Sequence, residues 1–410
     1  MKIKNFLTTC QYVNLSLSKI KKIELFLKSH EGNLFLIGGA VRCLLLKKKI
    51  SSSPDLVTDL PIQMVIEILK KKKIRFSSVG IKYGSIVIYD GKDTFDLTSM
   101  RKDIETFGRK AKVEFFPDLQ EDSKRRDFTI NAIYSDTEGN LKDPQGGIKD
   151  LRRKNSIVKF VGDTERRIKE DFLRILRFIR FSIYYSNKFY LKDFKICEKF
   201  KKKILTLSFE RRINELRKII ILVNFESSFI QNKINEFLEL SLACKLDLTG
   251  FIDLCRLERE IENVSFERRI KFLIRKRKTK NLVFLKHLDK CSQHRITYKI
   301  CNKNFEIKNV FYLLHEIDKE LVLDHIIFAT IEKKISKIEF LKIYRKIKNF
   351  KKKKFPISGT DLKKVGFNEG EKIGKVLVKT KKWWVENNYT PLKKQCIEFA
   401  IRLLPTSARR

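Results

Sequence analysis

Hydrophobic and polar positions follow two different patterns along the chain. Between about residues 34 and 161, short runs rich in β-branched and aromatic residues alternate with turn signals such as Asp90-Gly91. Three runs read most clearly as strands: residues 34–37, 85–89 and 94–98. From about residue 162 onward, glycine becomes rare and apolar residues recur at helical spacing. The pattern predicts an α/β or α+β N-terminal part followed by an all-helical remainder.

A second break lies near the C-terminus. Four lysines at 351–354 precede Phe355-Pro356, and Ser358 then stands three residues before Asp361. Proline ends or precedes helices, and a serine followed three residues later by an acidic residue is typical of a helix start. We therefore expect a small helical unit to begin here.

The amino-acid composition indicates what kind of partner the protein binds. The 410 residues are 42% hydrophobic, enough for the cores of about two to four domains. Lysine and arginine number 90 against 49 aspartates and glutamates, which gives a net charge of +41. A surface this basic predicts a polyanionic partner such as a nucleic acid.

We do not expect a membrane as the alternative partner. No apolar run exceeds five residues, as at 219–223, whereas a spanning helix needs about 20. The N-terminal segment has no apolar block leading to a cleavage site, and the eight cysteines form no C-x-x-C pair. We expect a cytoplasmic protein with reduced thiols.

The first candidate for chemistry is a glycine turn. Gly38 and Gly39 follow the first predicted strand, and Arg42 lies just beyond them at the start of a helical run. Adjacent glycines let backbone N–H groups approach an anion, and an arginine can bind phosphate oxygens with two parallel hydrogen bonds. The segment lacks both the G-x-G-x-x-G and the P-loop spacing, so the turn alone fits a structural role equally well.

Aspartates supply the second candidate. Asp55 and Asp59 lie downstream of the glycine turn, and Asp96 stands in the third predicted strand. Phosphoryl transfer assisted by two Mg²⁺ ions requires carboxylates that converge from neighbouring strands. A basic cluster, Lys124-Arg125-Arg126-Asp127, follows them.

The order of these motifs is more specific than any one of them. Gly-Gly-x-Val-Arg, two acidic strands, Arg-Arg-Asp, the Asp-Pro-x-Gly-Gly of residues 143–147, and a helical Glu-Asp-x-x-Arg-x-x-Arg-x-x-Arg at 170–180 follow one another. In this order the sequence resembles class II tRNA nucleotidyltransferases (CCA-adding enzymes) and their bacterial poly(A) polymerase relatives. The resemblance is dense over 34–182, sparse over 225–350 and moderate over 355–392, and looks closest to alphaproteobacterial or mitochondrial members.

The resemblance implies an α+β fold: a polymerase-β-type nucleotidyltransferase head with a mixed sheet, followed by an all-α neck, body and tail. The expected boundaries are 1–155 for the head, 156–225 for the neck, 226–354 for the body and 355–410 for the tail. The implied function is template-independent addition of C, C and A from CTP and ATP to tRNA 3′ ends with Mg²⁺. The expected partners are the tRNA acceptor arm and 3′ end, and the protein is expected to be a monomer.

The resemblance also assigns roles to residues. Asp55 and Asp96 would be catalytic metal ligands. On a helix, Asp171 and Arg174 are i,i+3 neighbours, so both could read one edge of a cytosine or adenine. Residues 108–115 resemble the family's flexible loop, and Trp383-Trp384 could stack on nucleotides. The full set of nucleotide-binding residues implied by the resemblance is Gly38, Gly39, Arg42, Arg126, Asp127, Glu170, Asp171, Arg174, Arg177 and Arg180.

Two positions depart from the family pattern. The first aspartate of its Asp-x-Asp pair is Ser53 here, and the aspartate after Val41-Arg42 is Cys43. A serine hydroxyl carries no formal charge, so its presence should weaken metal binding. Asp59 or Asp96 could compensate in a shifted loop around residues 51–54, another protein could supply the catalytic partner, or the chain could be a degenerate tRNA-binding relative. A poly(A) polymerase or A-adding enzyme is the alternative within the same reaction class.

Overall fold

The computed structural model divides the chain into two compact units, residues 1–246 and residues 247–410. It describes residues 1–50, 53–107, 110–152, 156–186, 188–222, 228–278, 282–298, 310–367 and 371–403. The expected mixed-sheet head lies in the first unit. The finer division into head, neck, body and tail stays a prediction.

A seven-stranded mixed sheet organises the N-terminal part. Its order is β3-β4-β5-β2-β1-β8-β9, in which β2 and β5 run parallel and the other neighbours run antiparallel. The strands are β1 (Leu34–Ile37), β2 (Asp55–Thr58), β3 (Arg75–Ser77), β4 (Ser85–Asp90), β5 (Asp93–Ser99), β8 (Tyr134–Ser135) and β9 (Leu141–Lys142). The three strands predicted from the sequence are therefore confirmed as β1, β4 and β5.

A separate two-stranded sheet joins β6 (Arg101–Phe107) to β7 (Lys110–Phe115). The segment that resembles the flexible loop of the family thus includes a paired strand. Residues 108 and 109, with which that segment begins, lie outside the described residues.

Aspartate side chains cap the N-termini of two helices in this part of the chain. Asp118 accepts a hydrogen bond from the Glu121 N–H at 2.7 Å and so begins α5. Asp143 accepts from the N–H groups of Gly147 and Ile148 at 2.8 and 2.9 Å and starts α6 at the turn expected from the sequence. The helices of this part are α1 (Phe6–Tyr12), α2 (Leu17–Lys28), α3 (Gly39–Leu46), α4 (Ile62–Lys71), α5 (Leu119–Lys124) and α6 (Gly147–Arg152).

Helices alone follow in the described residues after 162, as the periodicity predicts. The first unit continues with α7 (Thr164–Glu170), α8 (Leu173–Tyr185), α9 (Leu191–Phe200), α10 (Phe209–Ile220) and α11 (Ser228–Leu242). The buried face of α8 contacts the head through aromatic rings: Phe178 stacks on Phe160 at 5.5 Å, and Phe160 meets Phe128 edge-on at 4.9 Å. These contacts fix α8 against the segment that carries Arg126 and Asp127.

The expectation of one helix over 170–180 is wrong. Helix α7 ends at Glu170, Asp171 has extended backbone angles, and α8 begins at Leu173. The Asp171 carboxylate accepts from the Leu173 N–H at 3.1 Å. Aspartate competes with the helix for backbone N–H groups in this way, so it favours a helix start over a helix interior.

The second unit contains α12 (Phe251–Glu260), α13 (Phe266–Leu273), α14 (Lys290–Thr297), α15 (Val310–Glu316), α16 (Lys319–Ile331), α17 (Lys337–Lys348), α18 (Gly359–Lys364), α19 (Glu371–Glu386) and α20 (Lys393–Arg402). Ser358 and Asp361 form the capping box of α18, which confirms the predicted helix start. Trp384 is buried and donates from its indole N–H to the Pro391 carbonyl at 3.1 Å, while Trp383 stacks on Phe399 at 4.3 Å. Both tryptophans pack within this unit.

Candidate active site

Two carboxylates face each other at the centre of the sheet. Asp55 opens β2 and is the register partner of Asp96 in the parallel neighbour β5. Neighbouring strands lie about 4.8 Å apart, and side chains of paired residues project from the same face. The structure therefore brings together the two aspartates predicted as metal ligands.

Ser53 extends the same face of the sheet. It stands two residues before Asp55, and its hydroxyl hydrogen-bonds the Thr94 hydroxyl, two residues before Asp96. The serine that replaces a family aspartate thus contacts the strand that carries Asp96. Among the residues that the structure describes, no group of three or more His, Cys, Asp or Glu side chains is arranged to hold a metal.

Asp59 does not join this group. It follows the last residue of β2, about 13 Å along the strand from Asp55 at about 3.3 Å per residue. Its two carboxylate oxygens accept from the backbone and side-chain N–H groups of Asn33 at 2.7 and 2.6 Å. Residues 51 and 52, at the start of the loop that could have rearranged, lie outside the described residues.

The electrostatics of the pair fit a cation. Solvent reaches Asp55, yet the surrounding protein desolvates its carboxylate and raises its pKa, and the negative charge of Asp96 adds to the rise while Arg126 opposes it. Desolvation raises the pKa of Asp96 as well. A divalent cation shared by the two carboxylates would offset both the cost of burying their charges and the repulsion that Asp55 experiences. Mg²⁺ in proteins is bound by one or two carboxylates together with substrate phosphates and water, so the residues present fit that ion.

The glycine turn lies against Asp55. Gly38 has φ +63°, a left-handed value that suits glycine, and a Cβ built on it would lie 3.4 Å from the Asp55 Oδ2 atom. Helix α3 begins at the next residue, so the helix starts at the turn that contacts Asp55. Any larger residue at 38 would strain the backbone and crowd the carboxylate.

Arg42 connects this turn to helix α8 through a buried hydrogen-bonded chain. Its guanidinium donates to the Asn131 side-chain oxygen and, at 2.9 Å, to the Tyr185 hydroxyl. Asn131 donates to Asp127 at 2.7 Å, and Asp127 also accepts from Arg177 at 2.7 Å. Asp127 therefore binds both Asn131 and Arg177. Its pKa lies well below the usual range because the positive charge of Arg177 outweighs the effect of burial.

A second set of charges surrounds the break between α7 and α8. Glu170 accepts from Arg174 at 2.6 Å, and the Asp171 carboxylate accepts from Arg211 of α10 at 2.7 Å. Arg180 pairs with Glu215, also on α10. The predicted nucleotide-binding residues at 170, 171, 174 and 180 are thus gathered at the junction of three helices. Asp171 and Arg174 do not sit on one helix, since Asp171 precedes α8.

Four partners in these networks were not identified from the sequence. Asn131, Tyr185, Arg211 and Glu215 each bind a predicted site residue from a distant part of the chain. Their separation along the chain from the residues they hold reaches 143 positions, so no local pattern could indicate them.

The sheet with its facing aspartates and the arginine-rich helices that follow define a nucleotidyltransferase-type protein. Residues 34–157 match the family model described as the Poly A polymerase head domain. The chain is 31% identical to human mitochondrial CCA tRNA nucleotidyltransferase 1 over 398 residues, covering 92% of this chain and 88% of that protein. A CCA-adding enzyme of Geobacillus stearothermophilus is 38% identical over 157 residues, which are 38% of this chain. The chain therefore belongs to the class II CCA-adding enzyme and poly(A) polymerase family.

Solved structures of similar proteins show the same fold. The CCA-adding enzyme of Bacillus stearothermophilus in complex with CTP superimposes with a TM-score of 0.72 at 22% identity, covering 96% of this chain and 97% of that one. The Thermotoga maritima CCA-adding enzyme complexed with tRNA gives a TM-score of 0.60 at 20% identity, with 99% of each chain covered. None of the described helices has the length and apolarity needed to cross a membrane.

Proposed function

We propose that this protein adds C, C and A to the 3′ ends of tRNA, using CTP and ATP without a nucleic-acid template. The observation that carries the proposal is the Asp55–Asp96 pair, facing across parallel strands beside the glycine turn and Arg42. The identity to a CCA tRNA nucleotidyltransferase over 92% of the chain supports the choice of reaction.

Mg²⁺ is the cofactor that this proposal requires. Asp55 and Asp96 would hold it, and the Ser53 and Thr94 hydroxyls lie next to them on the same face. A bound divalent ion lowers the pKa of a coordinated hydroxyl and neutralises charge on a triphosphate. Arg42 and Arg126 would bind the triphosphate, since guanidinium groups match phosphate oxygens in geometry and charge.

Base selection falls to the junction of α7, α8 and α10. An Asp171 carboxylate oxygen would accept from the exocyclic amine that cytosine and adenine share, and Arg174 would donate to ring acceptors. Guanine and uracil would be rejected because they present a carbonyl at that position. The pairing of Asp171 with Arg211 supports this role, since it fixes the orientation of the carboxylate.

The tRNA would be bound by the helical parts. A net charge of +41 supports phosphate contacts made by many lysines and arginines, which recognise an RNA acceptor arm by its shape. The cytoplasmic location and the monomeric state expected from the sequence remain part of the proposal, although several of the relatives with the broadest coverage are mitochondrial proteins by name.

Two other functions have a specific observation in their favour. The head matches a poly(A) polymerase head domain, which favours addition of A alone. Ser53 in place of an aspartate favours a tRNA-binding relative without catalysis.

Sequencing the product of one reaction separates the three functions. The purified protein is incubated with tRNA ending at its discriminator base, CTP, ATP and Mg²⁺. A 3′-terminal CCA supports the proposal, and an A-tail identifies the A-adding enzyme. Tight tRNA binding with neither nucleotide incorporated identifies the non-catalytic relative.

A further inference from the structure

A buried carboxylate outside the predicted site holds two arginines of the basic cluster. Asp122 lies on α5, and its side chain is 0% exposed. One of its oxygens accepts from Nε and Nη2 of Arg125 at 2.8 and 2.6 Å. The other accepts from Nε and Nη2 of Arg126 at 3.2 and 2.9 Å. Each guanidinium is therefore bound edge-on by one oxygen, which fixes the direction of its plane.

A third donor ties this group to the central sheet. The Tyr134 hydroxyl donates to Asp122 at 2.7 Å. Tyr134 belongs to β8, where it is the register partner of Ile37, and its ring packs in a core with Val57 of β2. Val57 stands two residues after Asp55 on the same strand. Through Asp122 and Tyr134, Arg126 is therefore connected to β2, the strand that carries Asp55.

The backbone of the two arginines is held as well. Arg167 of α7 donates through Nη2 to the carbonyl of Arg126 at 2.8 Å and to that of Arg125. Main chain and side chain of Arg126 are therefore both fixed before any ligand arrives.

Arg126 stays partly accessible despite these bonds. The Arg126 side chain is 21% exposed, and Asp122 uses only its Nε and Nη2 groups, which leaves Nη1 outside the pair. Of the positive charges near Asp55, Arg126 most strongly opposes the rise in its pKa. Burial alone would raise the pKa of Asp122, but the two guanidiniums outweigh it and hold that pKa well below the usual range. Asp122 is thus ionised at neutral pH.

We propose that Asp122 is a positioning residue for the triphosphate: it orients Arg126, with Arg125 beside it, so that the part of the Arg126 guanidinium that Asp122 does not bind meets the phosphates of the incoming nucleotide. The proposal rests on the proposed function in assigning a nucleoside triphosphate to Arg126. A carboxylate that served stability alone would have no reason to affect triphosphate and monophosphate binding differently.

The test measures CTP and CMP affinities by isothermal titration calorimetry on the full chain, in Mg²⁺ and without tRNA. We expect Asp122→Asn to weaken CTP binding about tenfold, the scale of one charge-assisted hydrogen bond, and to leave CMP binding within about twofold. The matched control is Asp150→Asn. Asp150 is also a buried head carboxylate, but it binds Thr129 and Lys159 and should alter neither affinity.

A double-mutant cycle shows whether Asp122 acts through Arg126. If it does, Asp122→Asn combined with Arg126→Gln binds CTP no more weakly than Arg126→Gln alone. Additive losses would overturn the proposal, as would equal losses of CTP and CMP affinity. If Asp122→Asn does not fold, Tyr134→Phe provides a second test, since it removes one hydrogen bond and no charge. We expect its affinity for CTP to fall about threefold and its affinity for CMP to stay unchanged. An unchanged CTP affinity in that variant would contradict the proposal.

The role of Asp122 and the proposed function can fail independently of each other, because one is tested by CTP binding and the other by tRNA extension. A wild-type chain that binds CTP but never extends tRNA would refute the proposed function and leave the Asp122 result standing. A wild-type chain with no CTP affinity would overturn both.

Discussion

Replacing Ser53 with aspartate tests whether residue 53 lies beside a metal site formed by Asp55 and Asp96. Residues two apart on a strand are separated by about 6.6 Å, so a new carboxylate at 53 would repel Asp55 by about 0.6 to 2.5 kcal/mol for effective dielectric constants of about 80 to 20. For a unit of 246 residues this corresponds to a fall in Tm of about 1 to 10 °C without metal. The Thr94 hydroxyl, which now pairs with Ser53, can donate to the new carboxylate and help to place it.

Mg²⁺ should reverse the loss. An ion at about 100 times its Kd stabilises the folded state by about 2.7 kcal/mol, which exceeds the added repulsion. Thermal unfolding of Ser53→Asp in chelator and in saturating Mg²⁺, with neutral Ser53→Asn as the matched control, measures this difference. We also expect Ser53→Asp to incorporate CTP faster than wild type in single-turnover reactions. An Mg²⁺-dependent rise in Tm that is equal in the two variants would refute the placement of Ser53 beside the metal.

Three further outcomes follow from the charges of the described residues. Arg211→Gln should lower the preference for CTP over UTP about tenfold, because Asp171 loses the partner that orients it; competing incorporation of the two nucleotides measures this. His325, whose pKa burial lowers to about 4, resists protonation in the folded state. The second unit should therefore lose thermal stability as the pH falls from 6.5 towards about 4, and His325→Gln should flatten that profile. The affinity for tRNA should fall steeply with salt, and a flat dependence would contradict phosphate binding.

The sequence predicted those parts of the fold that local patterns determine. Residues 34–37 and 94–98 form strands because β-branched and aromatic residues there meet a buried sheet, and residue 358 caps a helix through a neighbour three positions away. The helix over 170–180 was predicted because its apolar positions keep helical spacing. The break at Asp171 arises from one side chain that binds the Leu173 N–H, a local effect that periodicity does not register.

In the candidate site, too, the sequence predicted some features, while others are visible only in the fold. The pairing of Asp55 with Asp96 agrees with the resemblance to a known family, and the exclusion of Asp59 required the strand register. Asp122 carried no signal in the sequence, because its role depends on the fold that buries it between two arginines and Tyr134. Residues that hold other residues in place are visible only in three dimensions.

The most direct measurement compares Asp55, the first residue of β2, with Asp59, which follows the last residue of that strand. Single-turnover CTP incorporation into tRNA that lacks its terminal CCA is measured for wild type, Asp55→Asn and Asp59→Asn, with circular dichroism to verify folding. We expect Asp55→Asn to lose activity by orders of magnitude and Asp59→Asn, which removes only contacts to Asn33, to retain it. Full activity in Asp55→Asn, or no incorporation by the wild-type protein under any divalent metal condition, would contradict this expectation.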